Sequence, residues 1–347
     1  MSGMFEEFGV RHAGPFSRWA EAHMDFSRPP DAVFYPFSGP DFTFAHLLYP
    51  EAETYLLCGL EFCDLLPEWR SLSEDDADDA LRGIVSGMSH FLRWSYFITK
   101  DMRETFSSSR LRGVLPFLLV FLARTGHRVE SVCAVRLDAD GTPVETRPSC
   151  QTPPSGICIS FSKAERAGRL FYFQQDLRDD YCKADGPFLR FAASLGETAA
   201  FAKSASYLLH EPYFSNARDF IFAQCSFLVQ DPSHMPYRSF AEQGWEVRLH
   251  GCYASTLPVF QKYEQPDLIQ ASRNFGMEER ALEFGIGYLA DPRTSSLMVA
   301  MPSRGGGESP SLIANRDLPG AKSQREAWPD EEILLPEGDA VCLQDAF

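Results

Sequence analysis

The chain has 347 residues, 44% of them hydrophobic and 23% charged, which is the composition of a globular protein with room for a large core. Its formal net charge of −16 excludes a nucleic-acid platform, because an acidic surface repels phosphate backbones. The longest apolar run, VLPFLLVFLA, is too short to span a bilayer, so no membrane insertion is expected. Nine cysteines with no C-x-x-C spacing read as buried, reduced thiols. With no apolar signal region at the N-terminus, they predict a cytoplasmic protein, or an exported one if a leader has been removed. The 29 phenylalanines are spread along the chain and predict aromatic-rich packing.

In chain order, residues 5–25 suit a helix with Phe5, Phe8, Phe16, Trp19 and Ala20 on its apolar face, interrupted at Gly9 and at Gly14-Pro15. VFYPFSGPDFTFAHLLYPEAETYLLCGLE then predicts a strand over 32–37, a turn at 38–40, a helix over 41–49 and a strand over 54–60. Ser73-Glu74-Asp75-Asp76 is a capping signature for an amphipathic helix over 74–96. A buried helix is predicted over 114–125, with Gly126 closing it. Strands follow over 129–138, 156–163 and 169–177, the last two joined as a hairpin. The block 187–229 reads as helical, 230–237 as a turn-rich loop, 245–253 as a strand and QPDLIQASRNF as a helix. ALEFGIGYL and SLMVAMP read as a final strand pair.

The predicted class is α/β, or α+β, around a mixed sheet. A Rossmann-like βαβ unit opens the chain, and the second half is β-rich and covered by helices. Residues 1–145 form the Rossmann-like part and 146–302 a mixed part packed on it, if the two are not one continuous domain. Residues 303–347 form an acidic, Gly- and Pro-containing tail, read as mostly extended or disordered and outside the core.

In open α/β sheets, ligands bind beyond the carboxyl ends of the strands. The first such turn here is Ser38-Gly39-Pro40-Asp41, where Pro40 and Asp41 also suit a helix start. The next strand ends at Glu61, a position from which a carboxylate accepts hydrogen bonds from ribose. Strand, small turn, helix, strand and acid together resemble a class I S-adenosylmethionine-dependent methyltransferase. That resemblance implies a cofactor site at Tyr35, Ser38, Gly39, Asp41 and Glu61, with S-adenosylmethionine as the cofactor, although a G-x-G-x-x-G pattern is absent. A second resemblance rests on VFYPFSGPDF, YLLCGLE, KSASYLLH and VQDPSHMPY. Together they are similar to an uncharacterised family of bacterial proteins with a YPFSGPDF-type segment, from which the loop at Pro232 and His234 departs.

Lys203, Tyr207 and His210 stand four and three apart, so a helix would put them on one face. With Asp231 they are the candidate catalytic groups. His210, Asp231, His234 and His250 lack the tight spacing of a metal site, and no metal is predicted. Two functions remain open. One is a methyltransferase-like enzyme or a binder of a small molecule or nucleoside cofactor. The other is a non-catalytic binding or scaffold protein that keeps the fold without the cofactor.

Overall fold

The computed structural model describes residues 2–24, 29–66, 72–95, 113–146, 155–231, 233, 235–253, 255–256, 258–274, 282–288, 291–303, 332–334 and 340–342. The helix expected over 5–25 is divided into α1 (Ser2–Phe8), a π-helical turn (Gly9–Ala13) and α2 (Gly14–His23). Glycine permits the wide turn, since a Cβ on Gly14 would lie 2.7 Å from the Gly9 carbonyl oxygen. β1 (Ala32–Tyr35) is buried at every residue, as a strand covered on both faces must be. Asp41 then caps α3 (Phe42–Leu48), its Oδ1 accepting the Phe44 N–H at 3.2 Å. β2 (Thr54–Gly59) returns parallel to β1, from Ala32 opposite Thr54 to Tyr35 opposite Leu57. The segment β1–α3–β2 is a parallel βαβ unit.

α4 (Glu74–Trp94) starts at Ser73, whose Oγ accepts the Asp76 N–H at 3.1 Å, and ends on Ser95 in a left-handed conformation. α5 (Leu115–Arg124) is followed by Gly126 at φ +81°. β3 (Arg128–Leu137), β4 (Pro143–Thr146), β5 (Gly156–Lys163) and β6 (Arg166–Gln174) make an antiparallel ladder.

The helical block expected over 187–229 is corrected. Only α6 (Pro187–Ala193) and α7 (Ser215–Gln224) are α-helices. Between them lie β7 (Thr198–Ala202) and two 3-10 turns (Ser204–His210 and Pro212–Phe214), and β8 (Cys225–Gln230) follows. TAAFA is good helix material locally, but its place beside β1 overrides that preference. α8 (Tyr237–Glu242), β9 (Trp245–Gly251), α9 (Pro266–Asn274) and β10 (Ser296–Pro302) complete this unit. The strand expected at ALEFGIGYL is reduced, among the described residues, to an isolated bridge at Ile286.

Ten strands form one mixed sheet in the order β4-β3-β5-β6-β2-β1-β7-β8-β10-β9. The five central strands, β6 to β8 in that order, are mutually parallel. β10 lies antiparallel to both β8 and β9. One face of the sheet packs Tyr35, Tyr55, Tyr172 and Phe201 into a core with Phe8, Phe16, Phe44, Phe91 and Phe121 from the first five helices. On the other face Phe34 meets Phe188 and Phe220, and Phe171 meets Phe191. The architecture is α/β in three layers. Met1–Pro302 is one compact unit. Within the other, Ser303–Phe347, β11 (Glu332–Leu334) pairs antiparallel with β12 (Ala340–Cys342).

Candidate functional site

The chain leaves β1 on one side through β2 to β6, then crosses over to β7 and β8 on the other. β1 and β7 therefore flank the topological switch point, where open α/β sheets place their crevice. Four charged residues stand just beyond the carboxyl ends of the strands there. Asp41 follows β1, Glu61 follows β2, Lys203 follows β7 and Asp231 follows β8, and all four are buried.

Asp41 and Lys203 form an ion pair of 2.7 Å, each side chain only 2% exposed. Asp41 Oδ2 also accepts the Tyr35 hydroxyl at 2.9 Å. Burial first, and then the Asp41 carboxylate, hold the Tyr35 phenol well above its ordinary pKa. The Lys203 ammonium donates to the Ser95 carbonyl at the end of α4 and lies 4.2 Å from the Phe44 ring centre and 5.4 Å from that of Phe91. Burial pushes the Lys203 pKa down, while the Asp41 carboxylate pulls it back up.

Ser38 is a stitch between strand ends. Its Oγ accepts the Cys58 N–H at 3.1 Å and lies 2.8 Å from the Gly39 carbonyl oxygen. Gly39 holds φ +52°, a left-handed conformation that favours glycine. A Cβ there would lie 3.7 Å from Glu61 Oε1, so the Glu61 carboxylate rests against the first turn. Glu61 Oε2 accepts the Tyr172 hydroxyl at 2.9 Å. Asp231 Oδ2 accepts the Ser204 N–H at 3.2 Å and Oδ1 the Ser233 N–H at 2.9 Å. The Asp231 charge is felt at both Tyr35 and Lys203.

Of the residues singled out in the sequence, Tyr35, Ser38, Gly39, Asp41, Glu61, Lys203 and Asp231 thus lie at the carboxyl ends of neighbouring strands. Tyr207 and His210 take a different course, and the shared helix face with Lys203 is corrected. Lys203 is extended, and the helix after it is a 3-10 turn of three residues per turn. Tyr207 packs 4.5 Å from Phe260, and His210 lies 5.1 Å from Tyr263. Tyr263 donates its hydroxyl to Glu211, which Lys262 also meets at 2.9 Å. His250 lies against His23 with the rings tilted, 4.5 Å between ring centres. Pro232 and His234 lie outside the described residues. Among the described residues, no three His, Cys, Asp or Glu side chains are grouped to hold a metal.

Sequence reasoning missed five participants. Tyr172, from β6, is buried and bonds Glu61. A Cβ on Gly59 would come within 2.3 Å of Glu61 Oε2, and one on Gly287 within 2.3 Å of Asp231 Oδ2. The G-x-E spacing of Gly59 and Glu61 is a legible sign of close approach within a strand. Ser95 and Ser204 are also buried, their Oγ atoms without a hydrogen-bond partner. Nothing in their sequence surroundings marks either serine. Phe37 at φ +55° and Ser204 at φ +63° are non-glycine residues in the left-handed region, one after β1 and one after β7.

No protein-family model, curated protein or solved structure matches the chain. No helix among the described residues is long and apolar enough to cross a membrane.

Proposed function

We propose that the chain binds a nucleoside cofactor of the S-adenosylmethionine type and is a methyltransferase-like enzyme. One observation carries this reading: four charged side chains converge at the switch point of a parallel sheet. The strand order adds support. With the inserted β3–β5 ladder set aside, the strands run third, second, first, fourth, fifth, then the last, antiparallel one, then the sixth. The same order is found in class I methyltransferases, which the opening βαβ unit resembles. That is an argument from fold, and the chemistry must come from the site.

Three carboxylates, Asp41, Glu61 and Asp231, and one ammonium, Lys203, stand along this edge, with Lys203 paired to Asp41 and within reach of the Asp231 charge. Such a set disfavours a phosphate and favours a neutral or cationic nucleoside. Glu61 would accept the ribose hydroxyls. Cys58, Cys63, Cys133, Cys158, Cys182 and Cys225 form no disulfide, which supports a reducing compartment such as the cytoplasm. Membership of the bacterial YPFSGPDF family is part of the same proposal.

The second reading is a non-catalytic scaffold. It is favoured by the satisfaction of the acids within the chain, Asp41 by Lys203 and Glu61 by Tyr172. A thermal-shift series on the full chain separates the two. The cofactor reading expects millimolar S-adenosylmethionine or S-adenosylhomocysteine to raise the melting temperature and nicotinamide dinucleotides to leave it unchanged. No rise with any of them leaves the scaffold.

A further inference from the structure

Lys203 places an amine where this sheet would receive a ligand. Around its Nζ stand the Asp41 carboxylate at 2.7 Å, the Ser95 carbonyl, and the rings of Phe44 at 4.2 Å and Phe91 at 5.4 Å. A carboxylate, a helix-end carbonyl and aromatic faces are the parts from which receptors for organic cations are built. Two buried hydroxyls without partners, Ser95 Oγ and Ser204 Oγ, belong to the residue that accepts from Lys203 and to the residue that follows it. Buried hydroxyls are almost always paired, so these two are a second sign of a ligand, independent of the ion pair. Ser204 is also held at φ +63°, a strain of the kind that collects at ligand sites.

We infer that this cluster of groups is a binding site for an organic cation, an alkylammonium or sulfonium group, and that Lys203 is its resident occupant, which a ligand's cation displaces. The inference rests on the cofactor reading for the identity of the natural ligand, but the cation site can be tested without it. An anionic occupant is disfavoured, because Asp41, Glu61 and Asp231 line the same edge. The ion pair in the native chain would thus hold the crevice shut until the ligand's charge replaces that of Lys203. Burial lowers the Lys203 pKa, which accords with an ammonium kept at a cost to its hydration.

The test is Lys203→Ala in the full chain, which removes the equivalent of propylammonium. Propylammonium chloride at millimolar concentration is expected to raise the variant's melting temperature by about 3 °C or more. Propan-1-ol is expected to have no such effect, and native protein should respond to neither. The double variant Asp41→Asn/Lys203→Ala is expected to lose the response. If Lys203→Ala does not fold in plain buffer, recovery of its far-UV helical signal with propylammonium replaces the melting temperature. Equal responses to the amine and the alcohol, or none to the amine in either assay, overturn the inference. A further arm compares S-adenosylmethionine with adenosine. Lys203→Ala should bind the former about tenfold more tightly than native protein, and the latter equally. If propylammonium is taken up but S-adenosylmethionine binds neither chain, the cation site stands and the cofactor reading falls. Unchanged or weaker S-adenosylmethionine binding by Lys203→Ala, where native protein binds it, overturns the displacement of Lys203.

Discussion

Single residues at the strand ends carry large energies. Lys203 and Asp41 are 2% exposed, so removing one partner strands a buried charge. Lys203→Met should cost about 3–5 kcal/mol in denaturant unfolding. Asp41→Asn/Lys203→Met, which removes both members of the ion pair, should cost less, and a single-variant cost under about 1 kcal/mol would contradict the pairing. Gly59→Ala forces Glu61 away from Tyr172, because its Cβ would lie 2.3 Å from Glu61 Oε2. The midpoint of unfolding should fall by the equivalent of about 1–3 kcal/mol. Away from the site, His46 Nδ1 lies 3.1 Å from the Tyr55 hydroxyl, and its Nε2 lies 3.0 Å from Lys163 Nζ. The Tyr55 hydroxyl donates to the Tyr49 carbonyl, so His46 donates from Nδ1 and accepts at Nε2 as a neutral imidazole. Burial, then the neighbouring His127 and Lys163, lower the His46 pKa to about 3, and burial with Lys163 lowers that of His127 to about 4. An unfolded chain protonates both near pH 6.5, so their stabilisation is complete above that pH and is lost as pH falls, down to about 4 for His127 and about 3 for His46. Urea unfolding should lose on the order of 2 kcal/mol from His46 alone between pH 6.5 and 5, and His46→Gln should flatten that slope.

At the scale of elements, the clearest sequence signals were the local ones. Ser73 capped α4 as its spacing predicted, because the bond from Asp76 N–H to Ser73 Oγ is made within four residues. Ser73→Ala should therefore cost about 1 kcal/mol in thermal unfolding, and no loss would mean that the cap is idle. The β1–α3–β2 unit was legible for the same reason: its turn and cap lie within one short segment. β7 and β8 were not legible. Ala199, Ala200 and Ala202 favour helix locally, and only pairing with β1 and between themselves makes these strands. That miss concealed half of the switch point. It also made Lys203 and Tyr207 look like neighbours on a helix, although Lys203 ends up paired with Asp41. Asp41, Glu61, Lys203 and Asp231 could each be named from the sequence, but their meeting depends on strand order, which no local pattern encodes.

Across the whole molecule, the aromatic composition becomes a sheet covered on both faces, with Phe44, Phe91 and Phe121 on one side and Phe188, Phe191 and Phe220 on the other. That framework makes the carboxyl edge rigid and dry enough for buried charges to matter. The net charge of −16 acts in the same direction as the three carboxylates at the edge, against polyphosphates and for cations. The full chain should accordingly discriminate between nucleosides by the charge of what they carry. Isothermal titration of native protein and Glu61→Gln with S-adenosylmethionine, with NAD as the control, tests this most directly. Binding of S-adenosylmethionine alone, weakened about tenfold or more in Glu61→Gln, is the predicted result. Equal binding by both chains, preference for NAD, or no heat from either ligand would contradict it.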